Sequence, residues 1–171
     1  KKNSKRSDSK MPKRVLFVCM GNICRSPAGE AVMKRFAEEF RVPVDVDSAG
    51  THAYHVGEPA DARMRAAAEA RGYELTSIAR KVTPEDLSPD QFDIVLAMDA
   101  ENHAILTQMA GGIAPHIRLF SDYLDDEWPN DVPDPYYGEE DGFGEVLDIL
   151  EAGCPLILQT LAGEDIFEGE F

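Results

Sequence analysis

Residues 14–36 constrain this chain of 171 residues more than any other stretch. Val15, Leu16, Phe17 and Val18 form an unbroken apolar run, the pattern of a strand buried on both faces. Ser26 and Pro27 then carry a helix-start signal, a capping hydroxyl followed by proline in the first turn. Glu30 falls early in that helix, where a negative charge suits the macrodipole. Ala28, Ala31, Val32, Arg35 and Phe36 continue at helical spacing. Between strand and helix lies only the stretch from Cys19 to Arg25, with Gly21 inside it. A short loop feeding a helix N-terminus aims several backbone N–H groups at one point and makes an anion site. This loop also has a thiol at its first position and a guanidinium at its last. A helix N-terminus and a neighbouring cation favour the thiolate form of cysteine. The same features attract a tetrahedral oxyanion such as phosphate. Arg25 offers a planar fork that grips two phosphate oxygens at once. Ser26 places a hydroxyl where it can donate to the Cys19 sulfur and stabilise it as a leaving group.

The rest of the chain alternates strands and helices. Residues 42–48 alternate apolar and polar, which predicts a second strand. A glycine-flanked loop follows over 49–57. Pro59 opens a helix expected over 60–71, stopped by Gly72. Residues 75–82 read as a connector or strand, and Pro84 opens a single turn to Leu87. Residues 92–98 predict a buried strand, and Asp99 caps a helix running to Met109. A short fourth strand is expected over 117–120, then a long acidic, proline-rich loop over 121–140. The last helix, over 142–161, is expected to kink or split at Gly153 and Pro155. This order implies an α/β three-layer fold, a central four-stranded parallel sheet flanked by helices on both faces. Ligands of such sheets bind outside the carboxyl ends of the strands, which is where the Cys19 loop leaves the first strand.

Charge and cysteine content exclude several functions. The net charge is −15, and no Lys or Arg follows Arg118 although 16 acidic residues do. Such a surface repels nucleic acid and anionic membranes. No apolar run has the length of a membrane span. Cys19, Cys24 and Cys154 are too few for a disulfide framework, and Cys24 and Cys154 have no matching His or Cys cluster for zinc. A reducing, cytoplasmic compartment is expected. The four histidines divide into His52 and His55, near Tyr54, and His103 and His116, which read as structural.

Cysteine attack on phosphorus calls for an acid elsewhere, since a departing phenolate is lost faster when protonated. Asp134, in Val132-Pro-Asp-Pro-Tyr-Tyr-Gly138, is the candidate. On its residues alone Asp134 reads equally as a turn former beside proline.

Val18-Cys-Met-Gly-Asn-Ile-Cys-Arg-Ser-Pro27, together with Asp134-Pro-Tyr-Tyr-Gly138, resembles the low-molecular-weight protein tyrosine phosphatases. The resemblance covers about residues 14–161. It implies that Cys19 is the nucleophile forming a phosphocysteine and that Arg25 binds the phosphate. Asp134 is then acid in the first step and base in the second. Met20, Gly21, Asn22, Ile23 and Cys24 supply loop amides. Asn22 is expected to be left-handed and held by Ser48. Tyr54 and Tyr136 flank a phenyl ring, and Tyr137 is a second wall or packs. Cys24 is a redox partner of Cys19 or packs beneath the loop. Where relatives often carry a bracing histidine this chain has Ser77, which predicts a softer loop. The expected organisation is a flexible basic tail over 1–11, a single phosphatase domain over 12–162 and a flexible acidic tail over 163–171. The implied partner is a phosphotyrosine protein or peptide, with a tyrosine kinase a further candidate. A monomer with no cofactor or metal is expected.

Three other readings compete. Arsenate reduction on the same fold needs a later cysteine pair that residues 25–153 do not contain. Protein-arginine phosphatases tend to carry a small polar residue at the position of Ile23. A non-catalytic phosphotyrosine-binding module needs neither Cys19 nor Asp134.

Overall fold

The computed structural model of the protein describes residues 11–138 and 141–163, without the side chains of Tyr137 and Asp141. The expected tails therefore lie almost wholly outside the described residues. Among these residues, four strands form one parallel sheet. They are β1 (Lys13–Cys19), β2 (Val44–Gly50), β3 (Ile94–Ala97) and β4 (Ile117–Leu119), in the spatial order β2-β1-β3-β4. The helices are α1 (Arg25–Phe40), α2 (Ala62–Glu69), α3 (Ala100–Met109) and α4 (Asp141–Ala162). None of them is long and apolar enough to cross a membrane.

The unbroken apolar run of β1 follows from its central place. Val15 and Phe17 pack with Ile94 and Leu96 against Val32 and Met33 of α1 and Leu147 and Leu150 of α4. Leu16 and Val18 turn the other way, with Val95 and Ala97, towards Leu106 of α3 and towards Leu87 and Phe92. Each such side chain fully removed from water contributes about 1.5–3 kcal/mol. Both faces of the sheet are thus covered, which is the three-layer α/β fold. β2 lies on one side of β1, and β3 and β4 lie on the other. The chain therefore switches direction at the carboxyl end of β1, where such sheets open a crevice.

Element boundaries differ from expectation for local reasons. β2 starts two residues later than its alternation suggests, because the Val42 amide closes α1 by donating to Ala37 at 2.9 Å. α2 begins after Asp61, whose carboxylate caps Arg63 N and Met64 N. Pro59 instead pairs with Ile78 in an isolated bridge. Phe120 leaves β4 for a short 3₁₀ turn, Phe120–Tyr123. The expected capping role of Ser26 is not found either. α1 starts at Arg25 without a side-chain cap, and the Ser26 hydroxyl turns to the Cys19 sulfur, 3.1 Å away.

α4 runs unbroken through Pro155, against the expected split. Phe143, Leu147 and Leu150 before the proline and Ile157 and Leu158 after it are all buried in one core, which holds both halves in the helix. Gly153 has a different task. A Cβ there would lie 2.5 Å from the Phe120 ring. Glycine lets α4 rest on the pair formed by Phe120 and Phe17, whose centroids are 6.2 Å apart.

Candidate active site

The loop after β1 is pressed onto the end of β2. Thr51 N donates to the Cys19 carbonyl at 2.9 Å and His52 N to the Met20 carbonyl at 3.0 Å. Gly50 permits this approach, since a Cβ there would meet the Met20 carbonyl at 2.7 Å. At the centre of the loop Asn22 is left-handed, with φ 58°. Asn22 Nδ2 donates to Ser26 Oγ at 2.8 Å and Ser48 Oγ at 3.0 Å, and Oδ1 accepts from Arg80 N at 2.9 Å. Ser48 Oγ donates in turn to Glu30 Oε1 at 2.8 Å, and Lys34 holds the other Glu30 oxygen at 2.8 Å. Asn22, Ser26 and Ser48 are all buried. A buried polar network of this kind fixes one loop conformation because any broken member is left without water. Glu30 is the acceptor that secures Ser48. On the sequence alone Glu30 is a helix-dipole charge. Its i+4 spacing from Ser26, on the same helix face, was the available signal.

Arg25 is the most deeply buried charge among the described residues, 2% exposed. Its Nη1 donates to Asp99 Oδ2 at 2.7 Å and to the Val132 carbonyl at 2.9 Å. Nη2 lies 3.5 Å from Asp134 Oδ2, and Nε finds no acceptor among the described residues. Burial alone would lower the Arg25 pKa, but Cys19, Asp99 and Asp134 outweigh it and raise it. Asp99 was expected only as a cap. It does cap α3, accepting from Asn102 N at 2.7 Å through Oδ1, and uses Oδ2 for Arg25. Its place at the carboxyl end of β3, beside the crevice, was the overlooked signal.

The three cysteines are free and buried. Burial first, then the negative charge of Asp61, pushes the Cys24 thiol well above its usual range. Complete burial does the same for Cys154. The single Ser26 proton has two acceptors in reach, Cys19 Sγ at 3.1 Å and the Ala49 carbonyl at 3.4 Å.

One cleft brings together most of the residues singled out in the sequence. Cys19, Met20, Gly21, Ile23, Cys24 and Arg25 line it from the loop, with Tyr54, His55, Asp134 and Tyr136 opposite. Asn22, Ser26 and Ser48 are buried in the supporting network. Asp134 is indeed a turn former, since Oδ1 accepts from Tyr136 N at 3.0 Å in the short turn Pro135–Tyr137. Its Oδ2 faces Arg25. Tyr54 is 70% exposed and stacks on His52, with centroids 5.1 Å apart. Tyr136 meets His55 at 5.8 Å between centroids. The Tyr137 side chain lies outside the described residues. His103 and His116 lie within reach of the carbonyls of Ile117 and Leu87. Among the described residues no group of three His, Cys, Asp or Glu could hold a metal.

A family described as low molecular weight phosphotyrosine protein phosphatase matches residues 14–166. A low molecular weight protein-tyrosine-phosphatase of Streptomyces coelicolor is 42% identical over 157 residues, covering 88% of this chain and 94% of the relative. The human low molecular weight phosphotyrosine protein phosphatase is 34% identical over 152 residues, covering 86% and 94%. The crystal structure of a protein tyrosine phosphatase from Entamoeba histolytica, with Hepes in its active site, superposes with a TM-score of 0.82 at 40% identity, covering 93% of this chain and 99% of that one. By family, by relatives matched along nearly their whole length and by fold, this chain belongs to the low molecular weight protein tyrosine phosphatases, a family of hydrolases.

Proposed function

We propose that this protein hydrolyses phosphotyrosine in proteins or peptides through a phosphocysteine intermediate. The observation that carries this reading is Arg25. A guanidinium buried in the cleft has Nη1 tied to Asp99 and Val132, while Nε has no acceptor among the described residues. The Nε and Nη2 edge is thus presented as a fork for two phosphate oxygens. The Cys19 sulfur, as thiolate, attacks phosphorus in line with the ester oxygen. The S–P bond forms as the P–O bond to the phenol breaks, and Asp134 gives its proton to the departing oxygen. Water then attacks the phosphocysteine and gives a proton to the Asp134 carboxylate. The S–P bond breaks, inorganic phosphate leaves, and sulfur departs as a thiolate stabilised by the Ser26 hydroxyl. Loop amides of Met20, Gly21, Asn22, Ile23 and Cys24 and the Arg25 fork hold the equatorial oxygens throughout.

Tyr54 and Tyr136 across the cleft mouth support an aryl substrate, since a phenyl ring spans the distance to the sulfur that a shorter phosphoserine leaves unfilled. Exposed Tyr54 gains cover when a ring binds. A reducing, cytoplasmic setting is part of this reading, because attack requires Cys19 as a free thiol.

The test compares kcat/KM on a phosphotyrosine peptide and the matching phosphoserine peptide, for wild type, Cys19→Ser and Asp134→Ala. The expected result is a strong preference for phosphotyrosine, no turnover in Cys19→Ser and a loss of roughly 10²–10⁴ in Asp134→Ala. Acid quench during turnover is expected to capture phosphate on Cys19. Undiminished turnover in Cys19→Ser would falsify the covalent route.

A further inference from the structure

Arg63 is not among the residues lining the cleft, yet it joins the two loops that form it. The connection starts at the Cys19 loop, where the Asp61 amide donates to the Ile23 carbonyl at 2.8 Å. The Asp61 carboxylate caps α2 and also receives Arg63 in a two-toothed contact. Nε reaches Oδ1 at 3.1 Å and Nη2 reaches Oδ2 at 2.9 Å. The same Nη2 extends to the Tyr136 carbonyl at 3.4 Å. The guanidinium lies over two rings, 5.3 Å from the centroid of Tyr136 and 5.0 Å from that of Phe143. Tyr136 N, finally, donates to Asp134 Oδ1 at 3.0 Å.

From these contacts we infer that Arg63 is a positioning residue that sets the place of Asp134 relative to Cys19. This inference rests on Asp134 being the general acid. The links at Asp61 and Asp134 are short, and the longer one at the Tyr136 carbonyl is backed by the stacking of Arg63 on the Tyr136 ring. Asp61 is anchored in the loop, Arg63 is clamped by Asp61, and Tyr136 is held by its carbonyl and ring. The acid stands on the Tyr136 amide. Among its described residues, the segment between Ser121 and the start of α4 has only short 3₁₀ turns of its own. The loop therefore takes its place from contacts made elsewhere. One is the Val132 carbonyl on Arg25. Arg63 supplies another, next to the acid itself. Only arginine has a fork broad enough to hold Asp61 with one edge while reaching Tyr136. Asp61 is correspondingly held ionised below the usual carboxyl range, chiefly by Arg63. Arg63 is 47% exposed at the rim. A merely structural surface arginine would contribute little to the fold and nothing selective to the reaction.

The consequence is selective by leaving group. An acid displaced by a fraction of an ångström harms esters whose phenolate needs a proton and spares those whose phenolate leaves unaided. The experiment measures kcat/KM, which reports the steps up to P–O cleavage, on phenyl phosphate and on 2,4-dinitrophenyl phosphate. The variants are Arg63→Ala, Arg63→Lys, Asp134→Asn and the double variant Arg63→Ala with Asp134→Asn. Arg63→Ala is expected to lose about 10-fold on phenyl phosphate, a modest share of what misplacement can cost. On the dinitrophenyl ester it loses less than about 2-fold, by the same geometric argument. Arg63→Lys keeps the charge without the fork and falls between wild type and Arg63→Ala. The double variant matches Asp134→Asn alone, since an absent acid cannot be misplaced. Thermal midpoints accompany every variant, and Arg63→Lys serves if the alanine variant does not fold.

Equal losses on the two esters, or no loss, overturn the role of Arg63 when Asp134→Asn keeps its leaving-group dependence. If Asp134→Asn shows no such dependence, the acid assignment falls and the Arg63 inference falls with it. The two failures are thus told apart by one variant.

Discussion

Asn22 is the most informative single residue to perturb, because two substitutions there separate backbone strain from hydrogen bonding. The native residue is left-handed and buried, and its amide makes three hydrogen bonds. Asn22→Gly removes those bonds and leaves the backbone free to keep its conformation. At about 0.5–1.5 kcal/mol net per bond, the expected cost is roughly 1.5–4.5 kcal/mol. Asn22→Ala loses the same bonds and also places a Cβ in the left-handed region, which adds about 1–2 kcal/mol. In a domain of this size each kcal/mol lowers the thermal midpoint by about 2–4 °C. Thermal and urea unfolding of the two variants should thus differ by about 2–8 °C, with glycine the more stable.

Activity reads the same lock from the other side. In the proposed mechanism the loop that Asn22 pins holds Cys19 and Arg25 around the anion. Phosphate inhibition of both variants should weaken, and kcat/KM should fall by about 10-fold or more, with alanine worse than glycine. The reasoning fails if glycine and alanine variants match each other in stability and in activity. It also fails if both retain wild-type phosphate affinity, since the loop would then hold its shape without Asn22.

Three further outcomes are expected. Glu30→Ala leaves the buried Ser48 hydroxyl without its acceptor, at a cost of about 1–3 kcal/mol, whereas Glu30→Gln keeps an acceptor and is milder; urea unfolding and kcat/KM of the pair check this. Gly153→Ala drives a methyl to 2.5 Å from the Phe120 ring and should cost about 1–3 kcal/mol in overpacking, read as a lower thermal midpoint with unchanged KM. Asp61 has its folded pKa depressed, first by Arg63, so its stabilisation is complete above the unfolded value near ~3.9 and is lost as pH falls through the lower folded value. The stability gap between wild type and Asp61→Asn should therefore be constant above about pH 5 and close as acid is added below about pH 4.

Much of the sheet and the anion loop could be read directly because their physics is local. An apolar run of four, a seven-residue turn and a helix start are neighbours in the chain, and the loop chemistry follows from their adjacency. Boundaries slipped where one residue serves two elements, as Val42 does in closing α1 just before β2. The proline of α4 misled because its penalty is local while the core that overrides it is assembled from distant strands. The site partners were hidden for a related reason. Glu30 and Asp99 each had a sufficient local explanation, as a dipole charge and a helix cap, and Arg63 drew no expectation of its own. Glu30 and Asp99 each use a second oxygen for a partner far along the chain, and Arg63 shares one Nη2 between Asp61 and Tyr136. Glu30 meets Ser48 across 18 positions, Asp99 meets Arg25 across 74 and Arg63 meets Tyr136 across 73. Asp99 makes the point within one side chain, because Oδ1 does what its neighbours in sequence predict and Oδ2 does what the sheet order dictates. A carboxylate or guanidinium has more hydrogen-bonding capacity than a cap or an exposed charge consumes. Where such a residue follows a strand that ends at the crevice, or opens a helix beside it, the unspent capacity is what the fold directs at the site.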